Sequence, residues 1–381
     1  MTQKPTSQQQ TNWRNWVDEQ TRAVHARGQW RAPRELDAHG TEGKLDGNAV
    51  VSFASNDYLG LTQHPAVISA ARAALERWGT GAGAARLIVG SRPIHHDLER
   101  ALADWKGSER AVLFSTGFTA NLGVLTTFAG PDVLVCSDEL NHASIVDGRR
   151  LAGAPLAVYR HRDLAHLDEI LHASAHERAV VVSETVFSMD GDVAAVDDLV
   201  DVCARHGALL VLDEAHAVLG PDVDLAHVAS AGVDLLRVGT LSKALGALGG
   251  FVAGDESFVE LLVNRARSYI FTTAGTPADA AAAIAAIAIV RSDEGDRLRA
   301  ALRANIDHLR AGHPSPIVPY LCGSEQAAID AAAALLDDGL LVTAIRPPTV
   351  PPGTSRLRVT VSAAHTPDQV ERLVRALAAL P

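Results

Sequence analysis

Six short apolar runs limit what this chain can fold into: AVLF (111–114), DVLVC (132–136), AVVV (179–182), ALLVL (208–212), LLRV (235–238) and FVAG (251–254). Helix-like stretches such as PAVISAARAALERWG (65–79) and HHDLERALADWKG (95–107) lie between and before them. A strand with one wet face alternates apolar and polar residues, whereas a strand covered on both faces is apolar throughout. The runs therefore predict an α/β domain built on a mostly parallel sheet. Beyond an alanine-rich helix at about 277–292 the character changes. Strand-like PIVPYL (316–321), LLVTAI (340–345) and RLRVTV (356–361) alternate with helices at 324–338 and 366–379. The expected organisation is an N-terminal arm with helical pieces (1–50), a large domain (51–288) and a smaller α+β C-terminal domain (289–381).

Composition excludes little more. The formal net charge of −11 disfavours general nucleic-acid binding while leaving room for a local phosphate site. No apolar stretch is pure and long enough to span a bilayer, and the polar start MTQKPTSQQQTNW lacks the apolar middle of a secretion signal. Cys136, Cys203 and Cys322 have no metal-ligand spacing, so reduced thiols in a cytoplasmic protein are expected. The histidines show no helical zinc pairing, so no metal is expected.

Open α/β sheets bind ligands beyond the carboxyl ends of their strands. Here those ends run into polar segments: STGFTAN (115–121), SDELNHAS (137–144), SETVFSMDGD (183–192), DEAH (213–216) and TLSK (240–243). An acid just past a strand is usually a cap, and a single lysine is usually solvated. Asp213 and Lys243 together meet a more specific demand. Pyridoxal phosphate (PLP) needs a lysine amine to carry it and a carboxylate to keep its pyridine nitrogen protonated. Partial burial beside a cation would lower the lysine's proton affinity as that role requires. The turn Ser115 to Phe118, opening a helix, would offer N–H groups to the phosphate, Thr240 adds a hydroxyl, and His142 could stack on the ring. A rival motif, G-x-G-x-x-A at 79–84, follows a helix rather than a strand, the wrong context for a dinucleotide site.

These residues, with NDYLGL (56–61), TGFTANLG (116–123), TLSKALGALGGFVAG (240–254) and IRPPTVPPGTSRLRVTVSAAHT (345–366), resemble the α-oxoamine synthases. Those are fold-type I PLP-dependent transferases that join an amino acid to an acyl thioester with loss of CO₂. RSDEGD (291–296) and IRPPTVP (345–351) look like the branch that condenses L-alanine with pimeloyl-CoA, or a pimeloyl carrier protein, for biotin synthesis. The resemblance implies Lys243 as the lysine bearing PLP, with Asp213, His216 and His142 as its catalytic companions. It further implies Thr116, Gly117, Phe118 and Thr240 on the phosphate side, and Glu184 and Ser188 at the cofactor. Thr272 and Thr273 would reach a neighbouring subunit's phosphate in a homodimer. Arg31, Asn56, Thr349 and Arg356 would meet the substrate, with Arg356 taking its carboxylate. One departure stands out: DEAHAVLGPDVD (213–224) is shorter than the family's usual segment and lacks a glycine after His216. Three alternatives share part of this pattern: a relative using glycine and a short acyl-CoA, a fold-type I aminotransferase, and a non-catalytic scaffold.

Overall fold

The computed structural model describes residues 12–380. All six apolar runs are strands of one seven-stranded sheet: β1 (Arg110–Phe114), β2 (Val133–Asp138), β3 (Leu156–Tyr159), β4 (Arg178–Glu184), β5 (Leu209–Asp213), β6 (Leu235–Thr240) and β7 (Gly250–Gly254). Their spatial order is β1-β7-β6-β5-β4-β2-β3. From β6 to β3 every pairing is parallel, while β7 runs antiparallel to both of its neighbours. Strand β3 was not expected. It is an edge strand with Leu156 exposed and only Tyr159 fully covered, so it lacks the continuous apolar signature of the others.

Burial on both faces is visible residue by residue. Val180, Val182 and Val211 pack under the helices Gly117–Phe128 and Glu256–Arg265, through Val124, Val259 and Leu262. Val181, Leu210 and Leu212 face the other way, against Leu167, Leu199 and Cys203 of the helices Leu164–Ala173 and Val196–His206. Each strand thus spends alternate side chains on two separate cores, which is why its sequence reads apolar throughout.

The third core joins the helices Pro65–Trp78, Pro93–Lys106 and Pro277–Val290 to the C-terminal elements. There a three-stranded antiparallel sheet orders Ile317–Gly323, Ser355–Thr360 and Thr343–Ile345. The run LLVTAI does not form one strand. Leu340–Leu341 pairs in parallel with Asn48–Ser52, and Thr343–Ile345 joins the C-terminal sheet. The N-terminal segment holds the helix Trp13–Ala26 and then, where helical pieces were expected, the strands Leu36–His39, Glu42–Leu45 and Asn48–Ser52. Exposed residues dominate the first two of these, so their pattern carried no burial signal. Among the described residues no helix is long and apolar enough to cross a membrane.

Two glycines show where backbone geometry matters. Gly191 has φ +69°, and a Cβ there would come within 1.9 Å of the Ile317 carbonyl oxygen, where the loop after β4 meets the C-terminal sheet. Gly207 ends the helix Val196–His206 at φ +60° with nothing near its missing Cβ. Gly207→Ala should cost about 1 kcal/mol, the left-handed penalty alone. Gly191→Ala should add a backbone clash and lower the melting temperature by several times as much, as differential scanning fluorimetry would show.

Candidate active site

The polar segments predicted to converge do so at the carboxyl ends of β2, β4, β5 and β6. Asp213 closes β5 and is buried. Its Oδ2 accepts a hydrogen bond from Asn121 Nδ2 at 2.7 Å and its Oδ1 one from the Ala215 N–H at 3.0 Å. Asn121 also donates to Ser144 Oγ at 2.9 Å, and Ser144 Oγ lies 2.8 Å from His142 Nδ1. The carboxylate is thereby aimed by the helix that follows β1 and linked to the histidine that caps the helix after β2. Asn121 lies within the TAN motif, but nothing in the sequence says that its amide turns toward β5.

Lys243 sits on the tight turn between β6 and β7, closed by bonds from Leu241 N to Gly249 O and from Gly246 N to Lys243 O. The residue as a whole is only partly buried, yet its amine is enclosed. Burial lowers its pKa to about 8, with Arg358 acting in the same sense, against the pull of Asp213 and Glu184. Nζ lies 2.8 Å from His216 Nε2, and His216 Nδ1 lies 2.5 Å from the Tyr58 hydroxyl. Burial, with Lys243 and Arg358 nearby, pushes the His216 pKa well below the usual imidazole range, so its ring is neutral. Glu184, at the end of β4, is buried as well. Desolvation first, and Asp213 second, raise its pKa to about 8. Its Oε2 accepts the Ser188 N–H at 3.1 Å, and its Oε1 is buried with no partner among the described residues.

After β1 the helix Gly117–Phe128 begins. Thr116 caps it, accepting from Thr119 N at 3.1 Å, while Thr119 Oγ1 accepts from Thr116 N at 3.0 Å. The N–H groups of Gly117 and Phe118 have no acceptor among the described residues. A Cβ on Gly117 would lie 3.3 Å from Thr240 Cβ, and one on Gly250 would lie 2.4 Å from the Thr116 carbonyl. Two backbones and the Thr240 hydroxyl thus close on a small cradle that side chains would fill. Phe118 and His142 meet edge to face at 6.3 Å.

These features fit a phosphorylated pyridine. The cradle offers N–H groups and a helix dipole to a dianion. Asp213 presents a carboxylate held by two donors, Lys243 offers an amine of lowered basicity, and the unpartnered Glu184 oxygen waits in the same enclosure.

The substrate-side expectations divide. Asn56 is in the cluster: its Oδ1 lies 3.1 Å from the Tyr58 hydroxyl and accepts from Arg358 Nη1 at 3.1 Å. Ser188 is also in place, its carbonyl accepting from Arg358 Nε at 2.6 Å. Arg356 is buried but already engaged, with Nη1 on Asp190 and Nε on the Thr354 carbonyl. Arg358, two residues along the same strand and so on the same face, is the arginine whose charge reaches Lys243 and His216. Sequence reasoning missed it. The period-two spacing in RLR flags both arginines, and only Asp190 tells them apart. Arg31 and Thr349 are exposed; their segments adjoin through Arg346 Nη1 on the Gly28 carbonyl, and neither is bonded to the Lys243 cluster. Thr272 and Thr273 line a recess with Arg86, His95 and Ser115, and the Thr273 carbonyl lies 3.5 Å from Ser115 Oγ of the same chain.

Comparison with known proteins agrees with this geometry. The family model described as aminotransferase class I and II matches residues 48–377. An 8-amino-7-oxononanoate synthase of Anaeromyxobacter dehalogenans is 46% identical over 380 residues, covering 96% of this chain and 95% of that one. Among solved structures, a serine palmitoyltransferase from S. paucimobilis with a bound PLP–myriocin aldimine is 32% identical, with TM-score 0.86 and 96% of each chain covered. The 8-amino-7-oxononanoate synthase of Francisella tularensis is 26% identical with TM-score 0.72, covering 86% of this chain and 97% of that one. Of these two solved structures the palmitoyltransferase has the higher TM-score, while the Anaeromyxobacter oxononanoate synthase shares more residues with this chain than either. The chain belongs to the class I and II aminotransferase family and, within it, to the 8-amino-7-oxononanoate synthases.

Proposed function

We propose that this protein uses PLP to condense L-alanine with a pimeloyl thioester, releasing CO₂ and the thiol carrier and forming 8-amino-7-oxononanoate for biotin synthesis. The observation that carries the reaction class is the enclosed Lys243 amine, 2.8 Å from a neutral His216 and near the doubly held Asp213 carboxylate. The sequence relatives supply the substrates.

Lys243 would bear the cofactor, Asp213 would hold its pyridine nitrogen, and His142 would cover its ring. The Gly117 and Phe118 N–H groups with the Thr240 hydroxyl would hold its phosphate, and His216, Ser188 and Glu184 would line its phenolic side. Bound there, PLP supplies an electron sink for negative charge at the α-carbon of the amino acid. Arg358 is the better-placed partner for the alanine carboxylate, because Asp190 already occupies Arg356. Its Nε and Nη1 are held by Ser188 and Asn56, which aims the remaining Nη2. Lys243 would be the base that removes the α-proton and later returns it. The α-carbon then attacks the thioester carbonyl and expels the thiol, and loss of CO₂ leaves the amino ketone. Thr349 and Arg31, both exposed, would meet the acyl substrate.

The working unit we propose is a cytoplasmic homodimer. Leu87, Ile88, Val89 and Phe271 are exposed apolar residues around the recess that contains Thr272 and Thr273, which suits a subunit contact. The second reading, a serine-using acyltransferase, is favoured only by the backbone likeness to serine palmitoyltransferase.

Thiol release from pimeloyl-CoA with alanine, compared with serine and palmitoyl-CoA, separates the two readings. Alanine-dependent release is expected, and serine-dependent release alone would transfer the chain to the second. Lys243→Ala should lower turnover by about 10³-fold or more, the usual worth of a positioned base together with the covalent anchor. Arg358→Gln should raise the KM for alanine roughly ten- to a hundredfold, the loss of a charge-assisted bond, and more than Arg356→Gln does. Because burial sets the Lys243 pKa at about 8, the rate at which cofactor-free protein takes up PLP should climb with pH through that value and level off above it.

A further inference from the structure

Tyr58 belongs to NDYLGL, a motif of which the reaction as described uses only Asn56. It is fully buried, and its hydroxyl sits between the Asn56 amide oxygen, which can only accept, and His216 Nδ1, which accepts or donates according to the ring's tautomer. His216 Nδ1 is 2.5 Å away and Asn56 Oδ1 is 3.1 Å away. Asn56 Oδ1 already accepts from Arg358 Nη1. A phenol has one proton to give, and the shorter contact, to an acceptor not already engaged by a cation, is the one to His216. Burial holds the Tyr58 pKa up at about 12, so the hydroxyl keeps that proton over the working range.

The consequence passes through the ring. A neutral imidazole carries one proton, so when Nδ1 accepts, Nε2 must be the N–H. Nε2 faces Lys243 Nζ at 2.8 Å, and a donor there requires Nζ to accept, which only the free amine can do. If Nδ1 carried the proton instead, Nε2 would accept from Lys243 as an ammonium. We propose that Tyr58 is a positioning residue which fixes the Nε2–H tautomer of His216 and thereby favours the free-amine form of Lys243 that takes up the cofactor.

This inference rests on Lys243 being the cofactor lysine. It adds a control that the other charged neighbours do not supply. Asp213 and Glu184 both pull Lys243 toward its protonated form, and Arg358 opposes them by charge alone. The Tyr58–His216 pair instead acts by hydrogen-bond direction. His142 adds a further charge near His216 only when it is protonated.

Two measurements on the full chain test the proposal. The ¹⁵N resonances of His216 report which ring nitrogen bears the proton. In the wild type, Nε2–H is expected, with Nδ1 as acceptor; an Nδ1–H tautomer overturns the proposal, whatever any variant does. Tyr58→Phe keeps the ring in its packed site and removes only the hydroxyl. In that variant the pH midpoint for PLP uptake by cofactor-free protein, followed by absorbance of the lysine-linked cofactor, should move up by roughly one unit. Near neutral pH this slows uptake about tenfold. An unmoved midpoint with an unchanged tautomer sinks the role. Absence of PLP uptake by the wild type would instead remove the proposed function, leaving the tautomer measurement to judge Tyr58. If the variant does not fold, the wild-type resonances still decide.

Discussion

The site depends on how charge is held out of water at the carboxyl ends of four strands. Asp213, Glu184, Arg358 and the amine of Lys243 are all enclosed there, and an uncompensated buried ion costs several kcal/mol. Two acids and two bases could in principle pair as four ions. The surroundings instead divide them. Asp213 receives hydrogen bonds from Asn121 and Ala215, and Arg358 donates to the Ser188 carbonyl and Asn56, so these two are fixed in place by geometry. Burial raises Glu184 to about 8 and lowers Lys243 to about 8, so both titrate close to neutrality. A site that must take a proton from carbon and give it back needs groups poised in that way.

That poise requires the C-terminal sheet to stay in register with the large one. The segment after β4 makes the connection. Its Asp190 holds Arg356, its Ser188 carbonyl holds Arg358, and its Gly191 lies against Ile317. The segment is itself fastened to the large sheet by His161, which lies 2.9 Å from Asp138 and 2.7 Å from Asp192. Burial alone would lower the pKa of His161, but the two carboxylates outweigh it and raise it to about 9. His161 is therefore cationic at neutral pH and, with Arg162 Nη1 3.2 Å from Asp192, ties Asp138, Asp192 and the loop between the sheets together. The arginines that face the site are thus positioned from the large domain, although they stand on a strand of the small one.

Much of this was legible in the sequence, and the limits have physical causes. Continuous apolar runs exposed the central sheet because both of its faces are buried. The edge strand Leu156–Tyr159 and the wet strands between 36 and 45 lack that signature and passed unseen. LLVTAI reads as one strand because hydrophobicity does not name a partner; Leu340–Leu341 and Thr343–Ile345 pair with segments some three hundred residues and about a dozen residues away, respectively. In the site, residues at strand ends could be named because a sheet delivers them to one place. Arg358 could not be preferred over Arg356, since the difference is made by Asp190, far away in sequence. Nor could Tyr58 be tied to His216, because that contact joins a loop before the first helix of the large domain to the end of β5.

The shortened segment after His216 raises the question of whether the chemistry survives it. The loop 217–222 borders a cavity of about 530 Å³ shared with Lys106, Glu214, Arg237 and the flanks of the lysine turn at Thr240 and Ala244. Glu214 anchors the start of the loop from beneath, its carboxylate taking Lys106 Nζ and Arg237 Nε at 2.6 Å each. Asp213 is fixed by Asn121, and His216 by Tyr58 on one nitrogen and Lys243 on the other. None of those contacts passes through residues 217–222. A contraction there can reshape the space behind the lysine turn while the distances among Asp213, His216 and Lys243 remain set by helix, sheet and the Tyr58 loop. The departure read from the resemblance therefore falls on residues that none of the contacts among Asp213, His216 and Lys243 uses.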